Sequence, residues 1–258
     1  MRDHLHFITV KSPHLRARGD ICVYLPETAA SQEDLPLYIL LHGVYGSAWA
    51  WALKGGAHLT ADRLIRAAEI QAAIVVMPSD GLWGDGSAYF KHHHQDFAQW
   101  IVSDVPQAVI ECFPAASQQS PLCIGGLSMG GYGALSLGSR FAERFSAISG
   151  HSAITDLQQM TQFVEEPLAA YEAECEWPNV LDSILHHRHQ LPPLRFDCGQ
   201  NDSLLAPNRQ LHQALKQAQI PHTYTEFSGG HEWPYWQEHV EKTFRFFDQS
   251  LYPHPQNS

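Results

Sequence analysis

The chain has 258 residues, 44% hydrophobic and only 17% charged, so it can bury a sizeable core and is not globally disordered. Its formal net charge is −11 and no basic run stands out, which argues against nucleic acid or an anionic membrane surface as the main partner. No segment is long and apolar enough to span a bilayer, and Met1-Arg2-Asp3-His4-Leu5-His6 lacks the apolar core of a signal peptide, so a cytoplasmic location is expected.

Short apolar runs alternate with longer helical patterns, the mark of a mostly parallel sheet flanked by helices. The chain opens on expected strands at residues 6–11 and 21–25, then a polar connection from Pro26 to Pro36 and a strand at 37–42. A helix at 59–68 and a strand at 73–77 follow, then a helix at 96–112 and a strand at 121–125. Next come a helix at 129–140 and a strand at 145–149. The chain ends on a strand at 194–198, a helix at 208–217, a strand at 223–227 and a helix at 235–249. At this length, residues 1–258 are expected to form one α/β unit.

The alternation is interrupted once, between His151 and Pro193. That stretch holds an acidic patch (Glu165, Glu166, Glu172, Glu174, Glu176) and a His-rich end (His186, His187, His189). A small cap over the site and an ordinary crossover helix with extra turns are equally good readings of it. Five scattered cysteines (Cys22, Cys112, Cys123, Cys175, Cys198) form no CxxC pair and read as reduced thiols. Lys91-His92-His93-His94 lacks helical ligand spacing and reads as a polar loop near the site mouth, so neither metal nor cofactor is expected. A homo-oligomer is left open.

The most informative motif is Gly126-Leu127-Ser128-Met129-Gly130. It follows the apolar run Pro121–Gly125 and precedes a helical pattern, so the serine falls on a sharp strand-to-helix turn. Such a turn needs small neighbours two residues to either side, and the helix N-terminus favours a developing anion. A serine hydroxyl needs a histidine to take its proton and a carboxylate to hold that histidine's tautomer. In the chain order Ser, acid, His, only His231 follows the last strand through a Gly229-Gly230 turn; His239 lies further along the helix and His254 in the tail.

Asp202 falls on the loop after the strand at 194–198 and is the expected acid. Asp197 lies inside that strand and is expected to be structural, with an unnamed partner. The His42-Gly43-Val44 turn is expected to supply the Val44 N–H as one oxyanion donor, with the Met129 N–H as the other. His42 should brace this turn. Tyr45, Trp83 and Trp233 are candidate substrate contacts, and Trp233 and Trp236 should steady the His231 loop. Arg209 should pair with a surface carboxylate. A histidine base implies a rate that rises as imidazole loses its proton, near ~6.5 when unperturbed.

Several blocks resemble the Putative esterase family of α/β hydrolases. They are Leu40-Leu41-His42-Gly43 with Gly46, Val75-Val76-Met77-Pro78, Gly126 through Gly133, Asp197-Cys198-Gly199-Gln200-Asn201-Asp202, and Gly229-Gly230-His231-Glu232-Trp233 followed by Trp236. That family includes tributyrin-type carboxylesterases, feruloyl and acetyl-xylan esterases, S-formylglutathione hydrolases and mycolyltransferases. The resemblance implies an α/β-hydrolase fold and hydrolysis of small-acyl carboxylic esters, with Asp202 and His231 at the family's acid and base positions. Thioester hydrolysis or acyl transfer by the same triad is the alternative, and a non-catalytic binding module is disfavoured by the intact motifs. The segment after Gly43 lacks the cysteine that S-formylglutathione hydrolases usually carry there, and residues 151–193 align with nothing in the family.

Overall fold

Alternation builds the sheet. In β3 (Leu37–Leu41), Leu37, Ile39 and Leu41 enter one apolar cluster while Tyr38 and Leu40 enter another on the opposite face. β4 (Ile74–Pro78) repeats the division, with Ile74 and Val76 against Val75 and Met77. Strands apolar on both faces require cover on both faces, and helices supply it.

The computed structural model describes residues 4–172 and 175–253. Glu174 and His254 lie outside the described residues. The remaining strands are β1 (Leu5–Ser12), β2 (Ala17–Tyr24), β5 (Lys91–His92), β6 (Gln95–Asp96), β7 (Leu122–Leu127), β8 (Phe145–His151), β9 (Leu194–Gly199) and β10 (Thr223–Phe227). Together with β3 and β4, six of these form one sheet among the described residues, in the order β1-β2-β4-β3-β7-β8-β9-β10. β1 pairs antiparallel with β2, and β2 antiparallel with β4; every other pair in this sheet is parallel.

One face is covered by the helices Ala57–Arg66 and Trp233–Leu251, whose Phe244 and Phe247 rings lie 6.0 and 5.1 Å from Tyr38. The other face carries the helices Val105–Cys112, Met129–Arg140, Val180–His186 and Leu205–Gln217. From β3 the chain moves outward to β4, and later returns to place β7 on β3's other side. That reversal opens a crevice at the carboxyl ends of β3 and β7, where open α/β sheets bind ligands.

Three elements differ from the sequence expectation. The helix expected at 96–112 opens with a turn at Phe97–Gln99 and a wide turn at Trp100–Asp104. Pro106 has no N–H for the Val102 carbonyl, which instead accepts from Arg144 Nη2 at 3.2 Å. The Lys91–His94 stretch forms β5 and the turn into β6; Lys91, His93 and His94 are exposed as a polar loop would be, but His92 is buried with its ring 4.5 Å from Trp83 and 4.6 Å from Phe97. β2 begins at Ala17, four residues earlier than expected, because pairing with β1 extends it through a polar stretch.

The stretch between β8 and β9 divides in two. Its first part, containing the turn Leu157–Gln162, reaches over the loop at residues 84–86. There the Asp85 N–H donates to Glu166 Oε1 at 3.0 Å, and the Tyr171 hydroxyl donates to the Gly86 carbonyl at 3.0 Å. The second part, with the helix Val180–His186, packs on Met129–Arg140. The Ser139 and Ser183 hydroxyls meet at 2.8 Å, and the Tyr132 hydroxyl donates to the Trp177 carbonyl at 3.1 Å.

Candidate active site

β7 delivers Ser128 into the crevice on a strained backbone. Its φ is 55° and ψ −119°, a conformation most side chains avoid. The backbone is tied down on both sides: the Ser128 N–H donates to the His151 carbonyl at 3.0 Å, and its carbonyl accepts from Tyr132 and Ile154. The glycines of the motif are a steric requirement. A Cβ at Gly126 would run into the Gly130 carbonyl, and one at Gly130 into the carbonyls of Leu41 and His42. None of these obstacles can swing aside as a side chain would. Gly130→Ala is therefore expected to lower the melting temperature and ester turnover together, measured by thermal denaturation and steady-state kinetics.

The Gly229-Gly230 turn after β10 brings His231 to the serine. His231 Nε2 lies 3.0 Å from Ser128 Oγ, and Nδ1 lies 3.1 and 3.0 Å from the two Asp202 oxygens. Asp202 accepts no proton donor in this pair other than an Nδ1–H, so the tautomer leaves Nε2 free to accept from the serine hydroxyl. The Asp202 carboxylate also accepts the Leu204 N–H at 2.8 Å. Burial pushes this carboxyl's pKa up, but the hydrogen bond and charge of His231, with the Leu204 N–H, outweigh it and leave the pKa lowered. The His231 ring is sandwiched: Trp236 meets it edge-on at 5.0 Å, and Phe163 stacks at 5.3 Å and 24°.

His42 braces the turn at the end of β3. Its Nε2 accepts the Asp80 N–H at 3.0 Å, which fixes the proton on Nδ1, and Nδ1 donates to the Gly43 carbonyl at 2.7 Å. The His42 carbonyl accepts from the Tyr89 hydroxyl at 2.9 Å. This turn holds Val44 beside the N-terminus of Met129–Arg140, where the first N–H groups have no helical partners.

Ser128 and His231 open into a cavity of about 370 Å³ whose walls include Val44, Tyr45, Trp49, Phe163, Trp233 and Trp236. Of the three expected substrate contacts, Tyr45 and Trp233 line this cavity. Trp83 does not. Its ring is turned inward, 4.5 Å from His92 and 5.2 Å from Tyr171, where it closes the apolar layer under the loop. Phe163 was not foreseen, because a single aromatic in an unaligned polar stretch carries no local pattern.

Asp197 finds the partners its position demands. It is fully buried and holds Arg195 Nη2 at 2.5 Å, His151 Nδ1 at 3.0 Å and the Tyr235 hydroxyl at 2.7 Å. Arg195 Nη1 donates to Ser149 and Thr243, both at 3.0 Å, and His151 Nε2 lies 2.7 Å from Thr243 Oγ1. Arg209, as expected, makes a bidentate pair with Glu226 at 2.7 Å. Among the described residues, no group of three or more His, Cys, Asp or Glu side chains is placed to hold a metal ion, and no helix is long and apolar enough to cross a membrane.

The sheet, its flanking helices and the crevice define an α/β hydrolase. A solved ferulic acid esterase superposes with a TM-score of 0.84 at 24% identity, covering 95% of this chain and 97% of that one. An S-formylglutathione hydrolase from Staphylococcus aureus superposes with a TM-score of 0.78 at 19% identity, covering 94% and 98%. The Putative esterase family model matches residues 12–247, and the chain belongs to that family. It is an enzyme acting on ester bonds. A relative named acetyl esterase, from Caldicellulosiruptor saccharolyticus, is 25% identical over 236 residues, 84% of this chain and 85% of that protein.

Proposed function

We propose that Ser128, His231 and Asp202 act as a Ser-His-Asp triad that hydrolyses carboxylic esters with small acyl groups. The observation that carries this reading is His231, which reaches Ser128 Oγ through one ring nitrogen and the Asp202 carboxylate through the other. Ser128 Oγ attacks the ester carbonyl while His231 Nε2 takes its proton. The N–H groups of Val44 and Met129 hold the resulting oxyanion. His231 returns the proton to the departing alkoxide, leaving an acyl-enzyme and free alcohol. Water, deprotonated by His231, then attacks the acyl carbonyl, and collapse of that intermediate releases the acid and restores Ser128.

The cavity, about 370 Å³, lies at the small end of ligand sites and favours a short acyl group. The acetyl esterase relative supports the same size class. We read residues 1–258 as one domain in which 151–193 contributes a small cap, with Phe163 as its contact to the site.

A fluorophosphonate probe tests the reading directly. One equivalent should attach to the peptide containing Ser128, with activity lost in step. Label on another residue, or turnover surviving complete labelling, defeats it. A panel of acetyl, butyryl and thioester substrates then ranks acyl length and ester against thioester.

A further inference from the structure

The peptide that carries the Val44 N–H has two sides, and only one is held by His42. On the other side stands Tyr45, whose φ of 57° is left-handed and costly for a tyrosine. Tyr45 is 63% exposed, so packing does not hold it there. Asp85 does. Its backbone carbonyl accepts the Tyr45 N–H at 2.8 Å, and its Oδ2 accepts the Tyr45 hydroxyl at 3.2 Å.

Asp85 is itself fixed from behind. Oδ2 accepts the Glu165 N–H at 2.8 Å, and the Asp85 N–H donates to Glu166 Oε1 at 3.0 Å. The next residue, Gly86, lies against both residues of the oxyanion pair. A side chain there would run into Met129 Sδ and come within 3.4 Å of Val44 Cγ1. The loop at 84–86 is thus wedged between the oxyanion turn and the segment that bears Phe163.

We propose that Asp85 is the positioning residue of the oxyanion turn: by gripping Tyr45 it holds the Val44 N–H at the site where the oxyanion forms, and it ties that turn to the segment carrying Phe163. This rests on the triad reading above. The consequence is kinetic. Without the Asp85 carboxylate, Tyr45 keeps only its N–H bond to the residue 85 carbonyl, and the loop bearing that carbonyl loses its tie to the Glu165 N–H. The Val44 N–H then strays from its target, weakening an interaction made in the transition state and not in the ground state.

The test compares the parent enzyme with Asp85→Ala and Asp85→Asn, using p-nitrophenyl acetate and an alkyl trifluoromethyl ketone. Such a ketone adds to the serine as a hemiketal whose oxyanion needs the same donors. Asp85→Ala should lower kcat about 10–100-fold and weaken the ketone by a similar factor, with KM changed less than about twofold. Asp85→Asn keeps an acceptor oxygen and should restore most of both losses, with a melting temperature within about 2 °C of the parent.

The proposal is overturned if Asp85→Ala keeps a parental kcat or a parental ketone affinity. It is also overturned if activity falls only in step with melting temperature and Asp85→Asn is no better than Asp85→Ala. A parent enzyme that the ketone does not inhibit, together with an active Ser128→Ala, shows a different failure: the triad reading has fallen and has taken this proposal with it.

Discussion

Ser128→Ala is expected to lower ester turnover by about 10⁴–10⁶ while leaving the fold intact. The hydroxyl's partner is His231 Nε2, whereas the elbow itself is held by backbone bonds to His151, Tyr132 and Ile154 that alanine keeps. Alanine also meets the same backbone angles without a larger side chain to place. The melting temperature should therefore move little. Some catalysis over water should remain, because the proposed Val44 and Met129 donors and the cavity are untouched in the variant.

His231→Ala should cost about as much, and the double variant little more than either single one, because in the proposed mechanism the two groups move one proton. Asp202→Asn should cost less than Ser128→Ala, through the loss of the charge and tautomer control that steady the imidazole. Initial rates on p-nitrophenyl acetate measure all four. A Ser128→Ala enzyme working within about tenfold of the parent removes the triad as the mechanism.

Much of the fold is legible in the sequence. β3, β4 and β7 are buried on both faces and read as uninterrupted apolar runs, whereas β9 is equally buried but carries Arg195 and Asp197 within it. Ser128 directly follows β7, Asp202 lies three residues after β9 and His231 four residues after β10, so residue type and chain order are enough to name them as candidates. β1 and β2 blurred because an edge hairpin needs only one apolar face, and its polar half, Ala17 to Asp20, looks like loop.

Side chains whose role depends on distant partners were not legible. Trp83 and Phe163 are both lone aromatics in loops. Which one faces the cavity is decided by a fold-back of some eighty residues, recorded in the bond from Asp85 to Glu166 and not in either residue's neighbours. Asp197 is recognisable as structural, but its network draws on two other elements besides its own strand. His151 ends β8, while Thr243 and Tyr235 belong to the last helix.

That buried network gives the second large expected effect. Asp197→Ala should destabilise the protein by about 3–5 kcal/mol, because it leaves Arg195 buried beside His151 with no countercharge. For a chain of this size that corresponds to a fall in melting temperature of roughly 6–20 °C. Replacing Asp197 and Arg195 together with apolar residues should recover part of the loss, since no charge is then stranded.

The same group sets an acid limit. Burial pushes the Asp197 carboxyl's pKa up, yet the charges of His151 and Arg195 and the hydrogen bonds from His151 and Tyr235 reverse this and hold it well below the usual carboxylate range. A depressed carboxyl pKa contributes stability that is complete above the unfolded-state value, near ~3.9, and is lost as pH falls below it toward the folded value. The parent should therefore lose this contribution below about pH 4, and Asp197→Ala should show a flatter stability profile there.

Activity should fall with the fold, because the His151 carbonyl at the edge of the network holds the Ser128 N–H and Tyr235 sits one turn beyond His231. Denaturant melts of the parent, the single variant and the double variant at pH 7 and pH 3 decide the matter. A single variant as stable as the parent at pH 7 would mean that the Asp197 cluster is an ornament of the core and not one of its supports.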